Sequence, residues 1–224
     1  MTHIIYSFGR CGSTLLAQLI AATLYTQNTT KPKVSEFKIN EYVHHDNNSN
    51  LELLQNQKVI HTHQLYQRYD NIIKNSTIIF CTRKDIVETI SSLMIAQHSR
   101  GYNFSPGEKN SGNAKKTPWR NIPKNKLTLE DSVVQKLILS YYSFIKIDYP
   151  QCKQHNPKSH HLLYYEDWIY DFSKLSFLNL NYDQELNFKL TKKIPIDKHE
   201  WVNYGVLIDQ VKRFNNGSTQ IEIQ

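Results

Sequence analysis

A short apolar run, His3-Ile4-Ile5-Tyr6-Ser7, passes directly into Phe8-Gly9-Arg10-Cys11-Gly12-Ser13-Thr14, after which Leu15, Leu16, Leu19, Ile20 and Leu24 recur at helical spacing. No other feature constrains the chain as much. An apolar run of this length, closed by a glycine turn, reads as a buried strand, and the stripe after it as a helix opening at Ser13. A strand entering a helix through such a turn aims backbone N–H groups and the positive end of the helix at one point, which suits an anion. Gly9 and Gly12 let the backbone come close, Cys11 lies between them, Ser13 and Thr14 add hydroxyls, and Arg10 adds a planar cationic fork. An ordinary strand-to-helix turn uses the same glycines, so function has to be argued from further residues.

The same alternation recurs along the chain. Segments 58–62 (KVIHT) and 76–82 (STIIFCT) are strand candidates, 65–73 is a short helix, and Ile86, Ile90, Leu93 and Met94 mark a helix from Asp85 onward. Strand, turn and helix in repetition predict an α/β fold with a central parallel β-sheet flanked by helices. Residues 101–127 interrupt the pattern with three prolines and three glycines, and read as a long loop that serves as a candidate lid. Order returns at Thr128, where Asp131 suggests a capping box, and the helix after it carries Val133, Val134, Leu137, Ile138, Tyr141, Phe144 and Ile145 inward. A fourth strand at 161–165, a last helix at 201–214 and a tail at 215–224 complete a single expected domain over 1–224.

Composition limits the classes of function. At 39% hydrophobic the chain can bury a core, yet nothing approaches eighteen consecutive apolar residues, so no membrane span is expected. The first six residues lack a basic, then apolar, leader pattern and are expected to be strand. Three scattered cysteines, Cys11, Cys81 and Cys152, fit neither a disulfide framework nor a zinc site, and a cytoplasmic setting is expected. The net charge of +7 points to an anionic partner. Nucleic acid is not expected, because no binding motif or aromatic-basic repeat is present.

The glycine turn is not the loop of a nucleoside triphosphatase, since no lysine precedes Ser13-Thr14. A kinase also needs an acid to hold Mg²⁺, and only Glu166-Asp167 offers itself. The segment Gly9-Arg10-Cys11-Gly12-Ser13-Thr14-Leu15-Leu16 instead resembles the 5′-phosphosulfate loop of sulfotransferases that use 3′-phosphoadenosine 5′-phosphosulfate (PAPS), in the variant G-R-[SC]-G-S-T-L-L. The resemblance implies a P-loop sulfotransferase-like fold. It places Arg10 where the cytosolic branch has lysine, and Gly12, Ser13 and Thr14 on the phosphate. A guanidinium hardly gives up its proton, so Arg10 is expected to stabilise charge and not to donate a proton.

PAPS carries a 3′-phosphate, so a second anion site is required. Arg83 and Ser91, eight positions apart in Cys81-Thr82-Arg83-Lys84-Asp85-Ile86-Val87-Glu88-Thr89-Ile90-Ser91, keep the spacing of the family's 3′-phosphate motif. The proline of the commoner form is missing, and Ser92 serves if the register slips by one. Arginine and serine converging from a strand end and the next helix can grip such a phosphate. The alternative is local: Arg83 pairs with Asp85, and Ser91 is an exposed helix residue.

A base is also needed, to take the proton of the attacking acceptor. His61-Thr62-His63-Gln64-Leu65 resembles the family's K-T-H-L segment, which makes His63 the candidate and puts His61 in the lysine position. An imidazole is suited to that task near neutral pH. Glu36, in Val34-Ser35-Glu36-Phe37, resembles the carboxylate base of some bacterial members. Both histidines point to one face of a strand and are alternatively core residues. Tyr164-Tyr165-Glu166-Asp167-Trp168 resembles the family's Y-E-D-L segment and closes a late strand, while Lys192, Lys193 and Lys198 stand in for an absent R-K-G loop. The expectation is sulfuryl transfer from PAPS to a sugar, lipid or small-molecule acceptor, without a metal. An ATP-dependent small-molecule kinase and a non-catalytic nucleotide-binding module are the alternatives.

Overall fold

The run that opens the chain forms β1 (Thr2–Ser7), which among the described residues is the middle strand of a five-stranded parallel sheet. Its neighbours are β3 (Val59–Thr62) on one side and β4 (Ser76–Thr82) on the other, with β2 (Val43–His45) and β5 (His160–Tyr164) at the edges. The computed structural model describes residues 2–28, 43–45, 58–63, 76–100, 127–155, 159–180 and 201–220. Contacts group the chain into two compact units, Met1–Thr82 with Lys146–Ile194 and Arg83–Ile145 with Pro195–Gln224.

The first unit contains the sheet. β3 and β4 are all but fully buried, which is why they read as unbroken β-branched and aromatic runs and not as alternating ones. Helix α1 (Ser13–Asn28) covers one face, where Leu16, Leu19 and Ile20 pack with Ile5, Ile79, Cys81, Leu163 and Trp168. On the other face Tyr6, Phe80 and Tyr149 stack edge to face at 4.9 and 5.1 Å, and the Tyr6 hydroxyl donates to Asp148 at 3.0 Å. Because the chain passes from β1 to β2 and β3 on one side and then crosses to β4 on the other, the carboxyl end of β1 is a topological switch point. Open α/β sheets bind ligands at such a point.

The second unit is helical. Its α2 (Ile86–Arg100) begins where Asp85 Oδ1 accepts from the amides of Val87 and Glu88 at 2.8 and 3.2 Å, an acidic cap. Helix α3 (Asp131–Ser143) buries Val134, Ile138 and Tyr141 and leads through a π-helical turn, Phe144–Asp148, to α4 (Tyr149–His155), which belongs to the first unit. The capping box expected at Thr128 does not form. Glu130 is the cap residue and makes no side-chain cap bond, while Asp131 accepts from Gln210 and Arg213. The last of these helices, which is α6 once the short α5 (Tyr165–Trp168) is counted, spans Tyr204–Phe214. It starts three residues later than the sequence suggests because the Asn203 side chain caps the Val206 amide. Part of the expected tail is ordered: Gln220 bridges Asp85, and the Ile86 amide donates to the Thr219 carbonyl at 3.1 Å.

The strand β2 was not foreseen from the sequence. The expected helix at 65–73, residues 101–126 of the expected lid, Glu36 and the lysines at 192, 193 and 198 lie outside the described residues.

His3 is buried in β1, and burial, helped by the N-terminal charge, holds its pKa down to about 4. An unfolded histidine titrates near 6.5, so between those pH values the unfolded chain binds a proton that the folded chain refuses. Stability is therefore complete above pH 6.5 and declines as pH falls towards 4. Urea unfolding at pH 7 and 4.5 is expected to show the parent losing about 1–3 kcal/mol more than His3→Gln over this interval. Parallel losses in the two proteins would assign the acid limb to other groups.

Candidate active site

The loop leaving β1 owes its shape to three residues in the left-handed region: Gly9 at φ 108°, Arg10 at φ 54° and Gly12 at φ 76°. Arg10 is the informative member, since a side chain in that region costs on the order of 1 kcal/mol and has to be held there by its surroundings. The guanidinium-bearing residue is exposed, and so is Thr14 at the head of α1. The first helical bond runs from the Leu16 amide to the Gly12 carbonyl at 2.9 Å, so the amides of Ser13, Thr14 and Leu15 precede the ladder.

The underside of the loop is fastened to β4. The Cys11 thiol donates to the Cys81 carbonyl at 2.9 Å, and the Cys81 thiol returns the bond to the Cys11 carbonyl at 3.2 Å. Contact with Cys11, then burial, pushes the Cys81 thiol well up, so it remains a neutral donor. Ser13 is buried as well and turns towards the Cys11 sulfur. Of the loop side chains expected on a phosphate, Arg10 and Thr14 thus face outward, whereas those of Cys11 and Ser13 face the core.

Gly12 has a role the sequence did not reveal. A Cβ there would lie 2.3 Å from Tyr165 Cδ2 and 3.3 Å from Trp168 Cζ2. The space beside its Cα is taken by Tyr165, on the short helix α5 that follows β5. The Tyr165 and Trp168 rings meet edge-on at 5.8 Å, with Trp168 fully buried beneath. The segment 164–168 therefore helps to build the loop's floor as well as closing a strand.

Beside the loop, β1 brings Ser7 to the two histidines. The buried Ser7 hydroxyl lies 3.3 Å from His61 Nε2 and 3.0 Å from His63 Nδ1, and His63 Nδ1 is also 3.0 Å from the Ser7 carbonyl. The rings stand edge-on, 5.0 Å apart. His61 is fully buried within β3, whereas His63, one step past the strand, is exposed. The shared face expected from their alternation is present, with one histidine inside and one outside.

In the second unit Arg83 is largely buried and does not pair with Asp85, whose carboxylate is occupied at the helix cap. It pairs with Glu88 at 3.4 Å, and its carbonyl accepts from the Tyr141 hydroxyl. Ser91 is fully buried, donates to the Glu88 carbonyl at 3.0 Å, and its Oγ lies 2.9 Å from the Tyr204 hydroxyl oxygen. Tyr204 donates its proton to Glu88 Oε1 at 2.8 Å. Burial first, and the Glu88 carboxylate after it, push the Tyr204 hydroxyl well up, so it donates throughout the physiological range. Ser92 is buried too. Glu88 and Tyr204 escaped the sequence reading: the first sits inside a motif read only at its ends, and the second lies more than a hundred positions away.

Elsewhere in the first unit an open hollow of about 380 Å³ runs along β5, lined by Tyr149, His160, Tyr164, Asp167, Lys174 and Phe177 among others. Among the described residues no group of three or more His, Cys, Asp or Glu is placed to hold a metal ion, and no helix is long and apolar enough to cross a membrane.

No protein-family model matches the chain, and no curated protein matches it. Among solved structures it is similar to a retinol dehydratase in complex with androsterone and the inactive cofactor PAP, at 13% identity and a TM-score of 0.39, covering 96% of this chain and 66% of that one. A retinol dehydratase in complex with retinol and PAP gives 11% identity and a TM-score of 0.38, covering 99% and 71% respectively. The chain thus spans about two thirds of the length of the first of these structures.

Gly12→Ala is expected to lower stability by about 2–4 kcal/mol, from the collision with Tyr165 and the positive φ together. In a Tyr165→Ala background only the φ cost should remain, about 1 kcal/mol, so the two changes are strongly non-additive. Strict additivity in denaturant unfolding would contradict the close approach.

Proposed function

We propose that this chain binds PAPS and transfers its sulfuryl group to a hydroxyl or amine of a sugar, lipid or small-molecule acceptor. The observation that carries the reading is the pairing, at the switch point of one parallel sheet, of an anion cradle with a histidine anchored beside it. Backbone amides ahead of the Leu16–Gly12 bond, the exposed Arg10 and the exposed Thr14 suit a phosphosulfate group. Cys11 and Ser13 keep the cradle in shape from below.

PAPS supplies a sulfuryl group on a good phosphate leaving group. His63 takes the acceptor's proton as the new bond to sulfur forms and the old sulfur–oxygen bond breaks. With its Nδ1 proton donated to the Ser7 carbonyl, the ring presents Nε2 as the basic nitrogen. Arg10 and the loop amides stabilise the charge that gathers on the phosphate. Arg83 and Ser91 are assigned to the 3′-phosphate, and Glu36 is the second candidate for the base.

Two measurements test these assignments. His63→Ala should bind PAP like the parent while PAPS turnover, with water or an acceptor, falls about 10²–10⁴-fold, the usual loss for a general base. A much larger loss in Glu36→Ala than in His63→Ala would move the base to the carboxylate. Separately, Arg83→Ala should weaken PAP binding by about 1.5–3 kcal/mol and leave adenosine 5′-phosphosulfate almost unchanged, since only PAP carries the 3′-phosphate. Equal losses for both nucleotides in calorimetry would remove Arg83 from that role.

A further inference from the structure

The Arg83 cluster already holds an anion of its own. Glu88 Oε2 lies 3.4 Å from Arg83 Nη1, and Glu88 Oε1 accepts from the Tyr204 hydroxyl at 2.8 Å. The same hydroxyl reaches Ser91 Oγ at 2.9 Å. A guanidinium, a phenol and a serine are donors that suit a phosphate dianion, and here the first two converge on a carboxylate. Asp85, the other acid of this turn, is committed to the amides of Val87 and Glu88.

The partners differ in how readily they can leave. The Arg83 side chain is 12% exposed, against 34% for Glu88. Arg83 is further fixed through its carbonyl by Tyr141, and Tyr204 is fixed by Ser91. Glu88 is the member with water on one side and three side-chain torsions by which to turn towards it. Its place in the first turn of α2 also suits a negative charge, so it has a stable position facing solvent.

We propose that Glu88 is a specificity-determining residue, a resident carboxylate that holds the donors of the 3′-phosphate subsite until the nucleotide displaces it. The proposal rests on the assignment of Arg83 to that phosphate. Binding exchanges one anion for another: Glu88 turns out, and the Tyr204 hydroxyl passes from the carboxylate to a phosphate oxygen. A ligand with a plain 3′-hydroxyl makes no such demand. Glu88 therefore weakens 3′-phosphorylated nucleotides selectively, and Tyr204 joins Arg83 as a phosphate donor.

The test is calorimetric titration of the parent, Glu88→Gln and Glu88→Ala with PAP and with adenosine 5′-phosphosulfate, after thermal melts show that each protein is folded. Glutamine keeps the length and an acceptor for Tyr204 while removing the charge, and alanine removes both. Both variants should bind PAP about tenfold more tightly than the parent, because like-charge juxtaposition is costly, with adenosine 5′-phosphosulfate unchanged within about twofold. A parent that prefers PAP, with no gain in either variant, overturns the inference and leaves the PAPS reading standing. Equal tightening of both nucleotides also overturns it, since the effect is then only general charge. If none of the three proteins binds PAP better than adenosine 5′-phosphosulfate, the second phosphate site itself falls, and the inference with it.

Discussion

The turn between β1 and α1 is held from two sides, and the chemistry assigned to this chain depends on that. From β4, Cys81 and Cys11 exchange thiol-to-carbonyl bonds that fix the loop's depth. From the end of β5, Tyr165 fills the place where any side chain at position 12 would be, and so fixes the loop's path. Between these supports the backbone keeps three left-handed residues, at 9, 10 and 12, among them an arginine. A loop left to itself would relax the non-glycine member first. Packing from two neighbouring strands is thus what maintains the loop's conformation.

The two basic clusters are built differently. Arg10 is exposed at the tip of its loop, on a surface that carries a net charge of +7 overall. A cation so placed attracts an incoming anion and loses strength with added salt. Arg83 is largely buried and is paired within its own unit with Glu88, which Tyr204 also grips. A charge in that setting adds little to the long-range field and acts at contact, where displacing its partner costs free energy. In the proposed function the first cluster attracts the nucleotide, and the second exchanges its own carboxylate for the 3′-phosphate.

Much of this was legible in the sequence wherever the signal was local. The parallel α/β sheet followed from short apolar runs alternating with helical stripes, and strands 2–7, 59–62 and 76–82 lie within a residue of where the pattern placed them. The loop was legible because glycines and hydroxyls crowd a strand-to-helix junction. Illegible parts depend on distant residues. Nothing near Gly12 announces that Tyr165 needs its space, and nothing near Ser91 announces Tyr204. Asp131 looked like part of a capping box, but a side chain from α6 offers it a better partner than the helix amide. Ser13 and Thr14 looked equivalent as neighbouring hydroxyls, yet a helix start points adjacent residues in different directions, one to the core and one to water. The three-residue β2 carries too little pattern to distinguish it from a turn.

The central claim is that this cradle receives a 3′-phosphorylated adenylate without help from a metal. The most direct measurement is calorimetric titration of the parent protein in two separate experiments, with PAP in the presence of a chelator and with ATP in the presence of Mg²⁺. The account predicts saturable one-to-one binding of PAP that the chelator does not weaken, with ATP–Mg²⁺ at least about tenfold weaker, since ATP offers Arg83 no 3′-phosphate. Tighter binding of ATP–Mg²⁺ than of PAP would contradict it and turn the chain towards phosphoryl transfer.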